Sequence, residues 1–212
     1  MLMIIACISM LIDHIGIAFF PDMDCFRIIG RLAMPIYSYS IVQGLEHTSD
    51  IKKYFRRLAN CCVISQIPFA ILMQKPFELN VCFTWLLSLA IIYSIKIQNR
   101  IATAATILFA IVVSVFLSYD YRFLGVYVTL VFYFQSLHKG LIYNLIATLS
   151  VGVIYLCWQD PLQYFAIIAM PIIFFAERHN KVRTSSRFMQ NIYRIFYPLH
   201  ITIIDIIKCV SL

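Results

Sequence analysis

The sequence predicts an all-α fold, a polytopic integral membrane bundle of about nine (eight to ten) transmembrane helices, and three observations carry that reading. Of 212 residues 62% are hydrophobic and only 13% charged, with a mean hydropathy of +0.85, which leaves too little polar surface to cover a soluble domain. The apolar residues fall into windows near the length a helix needs to cross about 30 Å of hydrocarbon. Basic residues alternate between two sets of short loops with a strong bias to one set. The composition argues against a water-soluble enzyme and against a nucleic-acid partner, and the net charge of +7 is accounted for by membrane topology.

The windows are 2–20, 26–45, 58–73, 81–95, 101–118, 123–137, 141–157, 162–176 and 188–210. Those at 123–137 and 162–176 are short enough for one to be re-entrant, which would lower the count to eight or seven. The first window lacks a basic leader and is followed at once by further apolar spans, so it is expected to remain in the mature protein. The longest polar stretches are 46–57 and 177–187, with no linker or repeat, and a single domain over 1–212 is expected. Eleven Lys and Arg, running from Lys52 to Arg187, fall on one side, while Lys75 and Arg122 fall on the other. That asymmetry predicts a cytoplasmic N-terminus.

The remaining basic residues, Arg27, Arg31, Arg194 and Lys208, lie in or at the ends of apolar windows. A charge at the centre of a span costs about 2.5 to 3.5 kcal/mol on insertion scales, so Asp13, Arg27, Arg31, Arg194 and Asp205 call for partners or a water-filled hollow. The connection between the first two windows is short, so Asp13 and His14 on one helix and Arg27 and Arg31 on the next belong to one antiparallel hairpin. Arg27 and Arg31 are four apart and share a helix face. Asp13 either neutralises one of them or takes part in chemistry, and Arg27 either joins it or snorkels to the outer interface. His14 titrates near neutral pH and suits proton transfer, and its neighbour Asp13, about 100° away around the helix, does not grip it directly. The last window carries Arg194, Tyr197, Pro198, His200 and Asp205, a polar file along a helix that Pro198 should kink. The inner basic loops, above all Lys53 and Arg57, are either the topology signal alone or a landing place for a polyphosphate cofactor.

The string Leu11-Ile12-Asp13-His14-Ile15-Gly16, then Gly30-Arg31-Leu32-Ala33-Met34-Pro35-Ile36-Tyr37, resembles the opening of the TraX family. Gly44-Leu45-Glu46-His47-Thr48, Lys53-Tyr54, Arg57-Leu58, Pro68-Phe69, Asn80-Val81 with Thr84, and Phe196-Tyr197-Pro198-Leu199-His200 follow in order, so the resemblance spans nearly the whole chain. It implies a multi-pass acyltransferase of the bacterial cytoplasmic (inner) membrane that moves an acetyl group from acetyl-coenzyme A to an amine such as the N-terminus of a pilin subunit. The expected site is His14 as general base, Arg31 as stabiliser of the oxyanion, Asp13 holding Arg31 or His14, and His200 as second-choice base or positioning group. Lys53, Arg57 and Arg194 are expected to hold the coenzyme.

Two other classes stay open from the residues. The intramembrane charges suit a transporter or channel for protons or small anions, or they are interhelical pairs of a non-catalytic pilus-assembly protein. Another amine, or a sugar, is an open acceptor. Seven cysteines without a CxxC spacing suggest neither a disulfide framework nor a zinc site, and no metal is expected. Cys25, Cys82 and Cys209 lie near outer ends, where a disulfide is permitted.

Overall fold

The computed structural model describes residues 1–138, 140–156, 160–179 and 187–211, with the side chains of 187–191 and 194 left aside. The described residues form helices α1 (Leu2–Phe19), α2 (Asp24–Gly30), α3 (Ala33–His47), α4 (Ile51–Met73), α5 (Val81–Lys96), α6 (Arg100–Phe116), α7 (Arg122–Leu137) and α8 (Leu141–Leu156). A 3-10 helix (Pro161–Ile168) runs into α9 (Ala169–Arg178), and α10 (Arg187–Ser211) closes the chain. The chain is all-helical among these residues, apart from one isolated bridge between Leu79 and Tyr119.

Helix ends follow local chemistry. Asp50, Asn80 and Asn99 each accept a backbone N–H in the first turn of α4, α5 and α6, where helices leave amides without partners. Gln74 ends α4 in the left-handed region, with φ of 56°. The 26–45 window is interrupted: α2 stops at Gly30 and α3 starts at Ala33. Pro35 explains the break, because it offers no N–H to the Arg31 carbonyl and its ring crowds that carbonyl, the fourth residue back. The 162–176 window likewise begins as the tighter 3-10 form, after Asp160 caps the amide of Leu162.

α1 and α2 pack as an antiparallel hairpin. Glycine makes the close approach possible: a Cβ on Gly30 would sit on the Asp13 carboxyl, and one on Gly16 on the Phe26 side chain. α3 is the central helix, buried continuously from Ala33 to Tyr39, with the principal core formed around it by α1, α5, α7, α9 and α10. The loops 74–80 and 117–121 join each other, with the Leu79 amide donating to Ser118 and the Asp120 amide donating to Leu79. Gln66 and Asn80 tie the first of these loops back to α4.

Among the described residues α1 is the one helix both long and apolar enough to cross a membrane. α5, α6, α7 and α8 are apolar but have 16 or 17 residues, about 24 to 26 Å at 1.5 Å per residue. α6 and α8 turn large apolar side chains outward, including Ile101, Val115, Phe116, Leu141 and Leu149, each more than 65% exposed. Of the basic residues expected on the cytoplasmic side, Lys139, Lys181 and Arg183 lie outside the described residues.

Candidate active site

Asp13 and His14 stand side by side on α1, Arg27 sits one turn before the end of α2, and Arg31 occupies the break that Pro35 creates. Together with Lys75 and Glu78 of the 74–80 loop and Asp120 and Tyr121 of the 117–121 segment, they line a cavity of about 130 Å³. Tyr37, Trp85 and Tyr197 supply aromatic walls. The hollow is polar and roomy enough for several water-sized groups.

The charges pair as the ion-pair alternative for Asp13 and Arg27 has it, and not as the expected site has it. Arg27 Nη1 donates to Asp13 Oδ2 at 2.9 Å, so Asp13 holds Arg27, not Arg31 or His14. Arg31, only 6% exposed, donates through Nη2 to Asp160 Oδ2 at 3.0 Å. Arg31 keeps helical backbone angles and its amide donates to the Arg27 carbonyl at 3.1 Å, so it stays one turn beyond Arg27 while its guanidinium reaches Asp160, just before the 3-10 helix. Lys75 and Glu78 pair with each other at 2.8 Å. Two buried atoms of the cavity residues keep no partner among the described residues: Asp13 Oδ1, an acceptor, and Arg31 Nε, a donor.

His14 is buried and reaches across to α10, where its Nδ1 lies 2.7 Å from His200 Nε2 with the rings nearly parallel. His200 Nδ1 lies 2.6 Å from the Phe196 carbonyl. Both ring nitrogens of His200 are thereby engaged, whereas Nε2 of His14 makes no hydrogen bond among the described residues. The sequence placed these two histidines in separate clusters, and the packing of α1 on α10 brings them together. Asp205 is not part of the cavity lining; it is buried further along α10, and neither of its oxygens has a partner among the described residues.

Burial pushes the half-buried Asp120 carboxyl up to about 7, helped by the negative charges of Glu78 and Asp13 and opposed by Arg31 and Arg27. Burial raises the Tyr121 phenol to about 12, against the pull of the neighbouring Arg31. Tyr121 adopts φ of 60° and Arg122 φ of 37°, a left-handed backbone that L-residues with side chains adopt uncommonly.

Lys53 and Arg57 are far from this cavity, near the opposite end of α4. Lys53 is exposed, and the twelve residues from Arg57 to the lining residue Phe69 correspond to about 18 Å along the helix. The side chain of Arg194 lies outside the described residues. Asp160, Lys75, Glu78, Asp120 and Tyr121 were not singled out from the sequence. Asp160 precedes Pro161 and reads as an ordinary helix cap, while the other four sit in short polar loops that look like external connections. Among the described residues no group of three or more His, Cys, Asp or Glu is placed to hold a metal.

Comparison with known proteins adds family membership. The chain is similar to a protein named probable fimbrial assembly protein FimC, serogroup H1, of Dichelobacter nodosus. The two are 27% identical over an alignment of 235 residues that covers 96% of this chain and 92% of that protein. It also shares 49% identity over 35 residues with an uncharacterized protein of Rickettsia prowazekii (strain Madrid E), covering 16% of this chain and 14% of that one. No solved structure matches. The TraX protein family matches residues 1–208, nearly the full length, and the chain belongs to the TraX family.

Proposed function

We propose that this protein is a multi-pass acyltransferase of the bacterial inner membrane, transferring an acetyl group from acetyl-coenzyme A to an amine acceptor such as the N-terminus of a pilin subunit. The observation that carries the reading is a single cavity lined by residues whose imidazole nitrogen, guanidinium N–H and carboxylate oxygen each lack a hydrogen-bond partner among the described residues. Acyl transfer needs these three elements: a proton acceptor, a donor for the oxyanion and a group to hold the incoming ammonium. Membership of the TraX family and similarity to a protein named for fimbrial assembly favour a pilin as acceptor.

The membrane setting is supported by the large apolar side chains that α6 and α8 turn outward, contiguous exposure of the kind that marks a membrane-facing or interaction surface. The irregular loops 74–80 and 117–121 pair backbone groups with each other, and the Gln66 side chain of α4 takes up the Glu78 carbonyl and the Asn80 amide. With the N-terminus inside, the basic loops face the cytoplasm and the cavity opens outward.

In the reaction an acceptor ammonium, with a reference pKa of about 7.7 to 8.0, docks beside the Asp13 carboxylate and gives its first proton to the medium. The free amine attacks the thioester carbonyl, a C–N bond forms, and the carbonyl oxygen takes negative charge beside Arg31. Collapse of the intermediate breaks the C–S bond. His14, having accepted the surplus amine proton, passes it to the departing thiolate. The coenzyme phosphates rest on the inner basic end, with Lys53, Arg57 and Arg194 as partners, and its thioester arm spans the distance along α4.

The experiment is acetylation by purified protein in nanodiscs with radiolabelled acetyl-coenzyme A and an amine-terminated pilin peptide. Labelled peptide from the unaltered protein, and none from His14→Ala or Arg31→Ala variants that insert normally, supports the proposal. Absence of acetyl-coenzyme A binding by the unaltered protein would favour the transporter or assembly readings.

A further inference from the structure

The hydrogen-bond chain behind His14 fixes more than its position. A backbone carbonyl can only accept, so the 2.6 Å contact from His200 to Phe196 puts a hydrogen on His200 Nδ1. In an uncharged ring the other nitrogen, Nε2, is then a lone-pair acceptor. The 2.7 Å contact it makes with His14 requires the hydrogen to come from His14 Nδ1. A neutral His14 protonated at Nδ1 has its remaining lone pair on Nε2, the nitrogen without a partner among the described residues. We infer that His200 is a positioning residue that locks His14 in the Nδ1–H tautomer, so that its only basic nitrogen is the one left free for an acceptor in the cavity.

The role resembles that of the carboxylate behind a catalytic histidine, with an imidazole and a helix carbonyl in its place. No charge stands behind His14, so when Nε2 takes a proton the positive charge spreads toward His200 and the Phe196 carbonyl. The geometry is held from both sides. His200 is buried to 5% exposure on α10, its ring packs against Phe196 at 4.7 Å between centroids, and Tyr197 lies beside both histidines. The His200 and Phe196 relation is the one-turn spacing of a helix, so the orienting contact is built into α10 and does not depend on a loop.

The tautomer follows from hydrogen bonds alone, whereas its use in catalysis rests on the acyltransferase reading, and two measurements separate them. The first is the ring-nitrogen spectrum of protein labelled with 15N-histidine in nanodiscs, assigned with His14→Gln and His200→Gln variants. Expected are an N–H signal at His14 Nδ1 and a bare-nitrogen signal at His14 Nε2. In His200→Leu, which offers no acceptor, His14 should lose its preference for the Nδ1–H form. An Nε2–H tautomer for His14 in the unaltered protein overturns the inference, whatever the protein catalyses. The second is acetyl transfer: His200→Leu should lower kcat by about 100-fold with KM little changed, as expected for a misaimed base. His200→Gln, which keeps an oxygen acceptor, should recover much of that loss. Equal activity of His200→Leu and unaltered protein overturns the positioning role. If neither shows transfer while the tautomer is as expected, the lock stands and the acyltransferase reading falls.

Discussion

At the scale of single residues, the cavity depends on partners that are separated in the sequence. Arg31 is aimed by Asp160, 129 positions away, through one 3.0 Å contact. Asp160→Asn keeps the shape but removes the charge, and should reduce acetyl transfer about tenfold while leaving folding intact, as a weakened charge-assisted hydrogen bond would; initial rates with thermal unfolding as control would check it. Asp120 gives a pH dependence with a definite sign. Its folded pKa of about 7 lies above the ordinary carboxylate value, so the folded state favours the protonated form. Its contribution to stability is therefore present at low pH and is lost as pH rises from about 4 through 7. Asp120→Asn should accordingly unfold at a higher temperature than the unaltered protein at pH 8, by a few degrees, with the gap closing at pH 5. Asp13, His14, Arg27 and Arg31 were legible as a group because charge in an apolar window has no bland explanation. A pair between Asp13 and one arginine was legible, but the choice of Asp160 for Arg31 was not, because it joins segments 129 positions apart.

At the scale of helices, the α1–α2 hairpin and the α2–α3 break place the charges. Gly30→Ala puts a methyl group into the Asp13 carboxyl and should destabilise the protein by about 1 to 3 kcal/mol, the range for overpacking a close contact, with loss of the Asp13–Arg27 pair. Pro35→Ala should act in the opposite manner. Restoring an amide to the Arg31 carbonyl lets α2 and α3 fuse, so stability should hold or rise, with acetyl transfer falling to the extent that the Arg31–Asp160 contact lengthens. Denaturation curves and initial rates on both variants would test the contrast. Apolar windows foretold most helix bounds to within two residues, since burial and turn chemistry mark the same places. The extension of α4 back to Ile51 through a basic tract was missed, because a window scan for apolar residues stops where charge begins. The contact between His14 and His200 was beyond reach for a different reason: it is set by which helices neighbour each other, and short loops constrain that only for adjacent ones.

At the scale of the whole molecule, the basic end and the cavity are separated by most of the length of α4. In a cysteine-free background, Lys53→Cys should react with an impermeant maleimide only after inner access is given, and Arg122→Cys should react from outside in intact cells. The reverse pattern would refute the orientation. The two ends also differ in electrical character. Lys75, Arg27 and Arg31 face Glu78, Asp13 and Asp120 around the hollow, so its formal charges cancel, whereas the far end carries Lys52, Lys53, Arg56 and Arg57 without equal opposition. Ionic strength should then distinguish the two proposed substrates. Added potassium chloride is expected to raise the apparent KM for the polyphosphate donor several-fold by screening, while leaving that of the acceptor nearly constant.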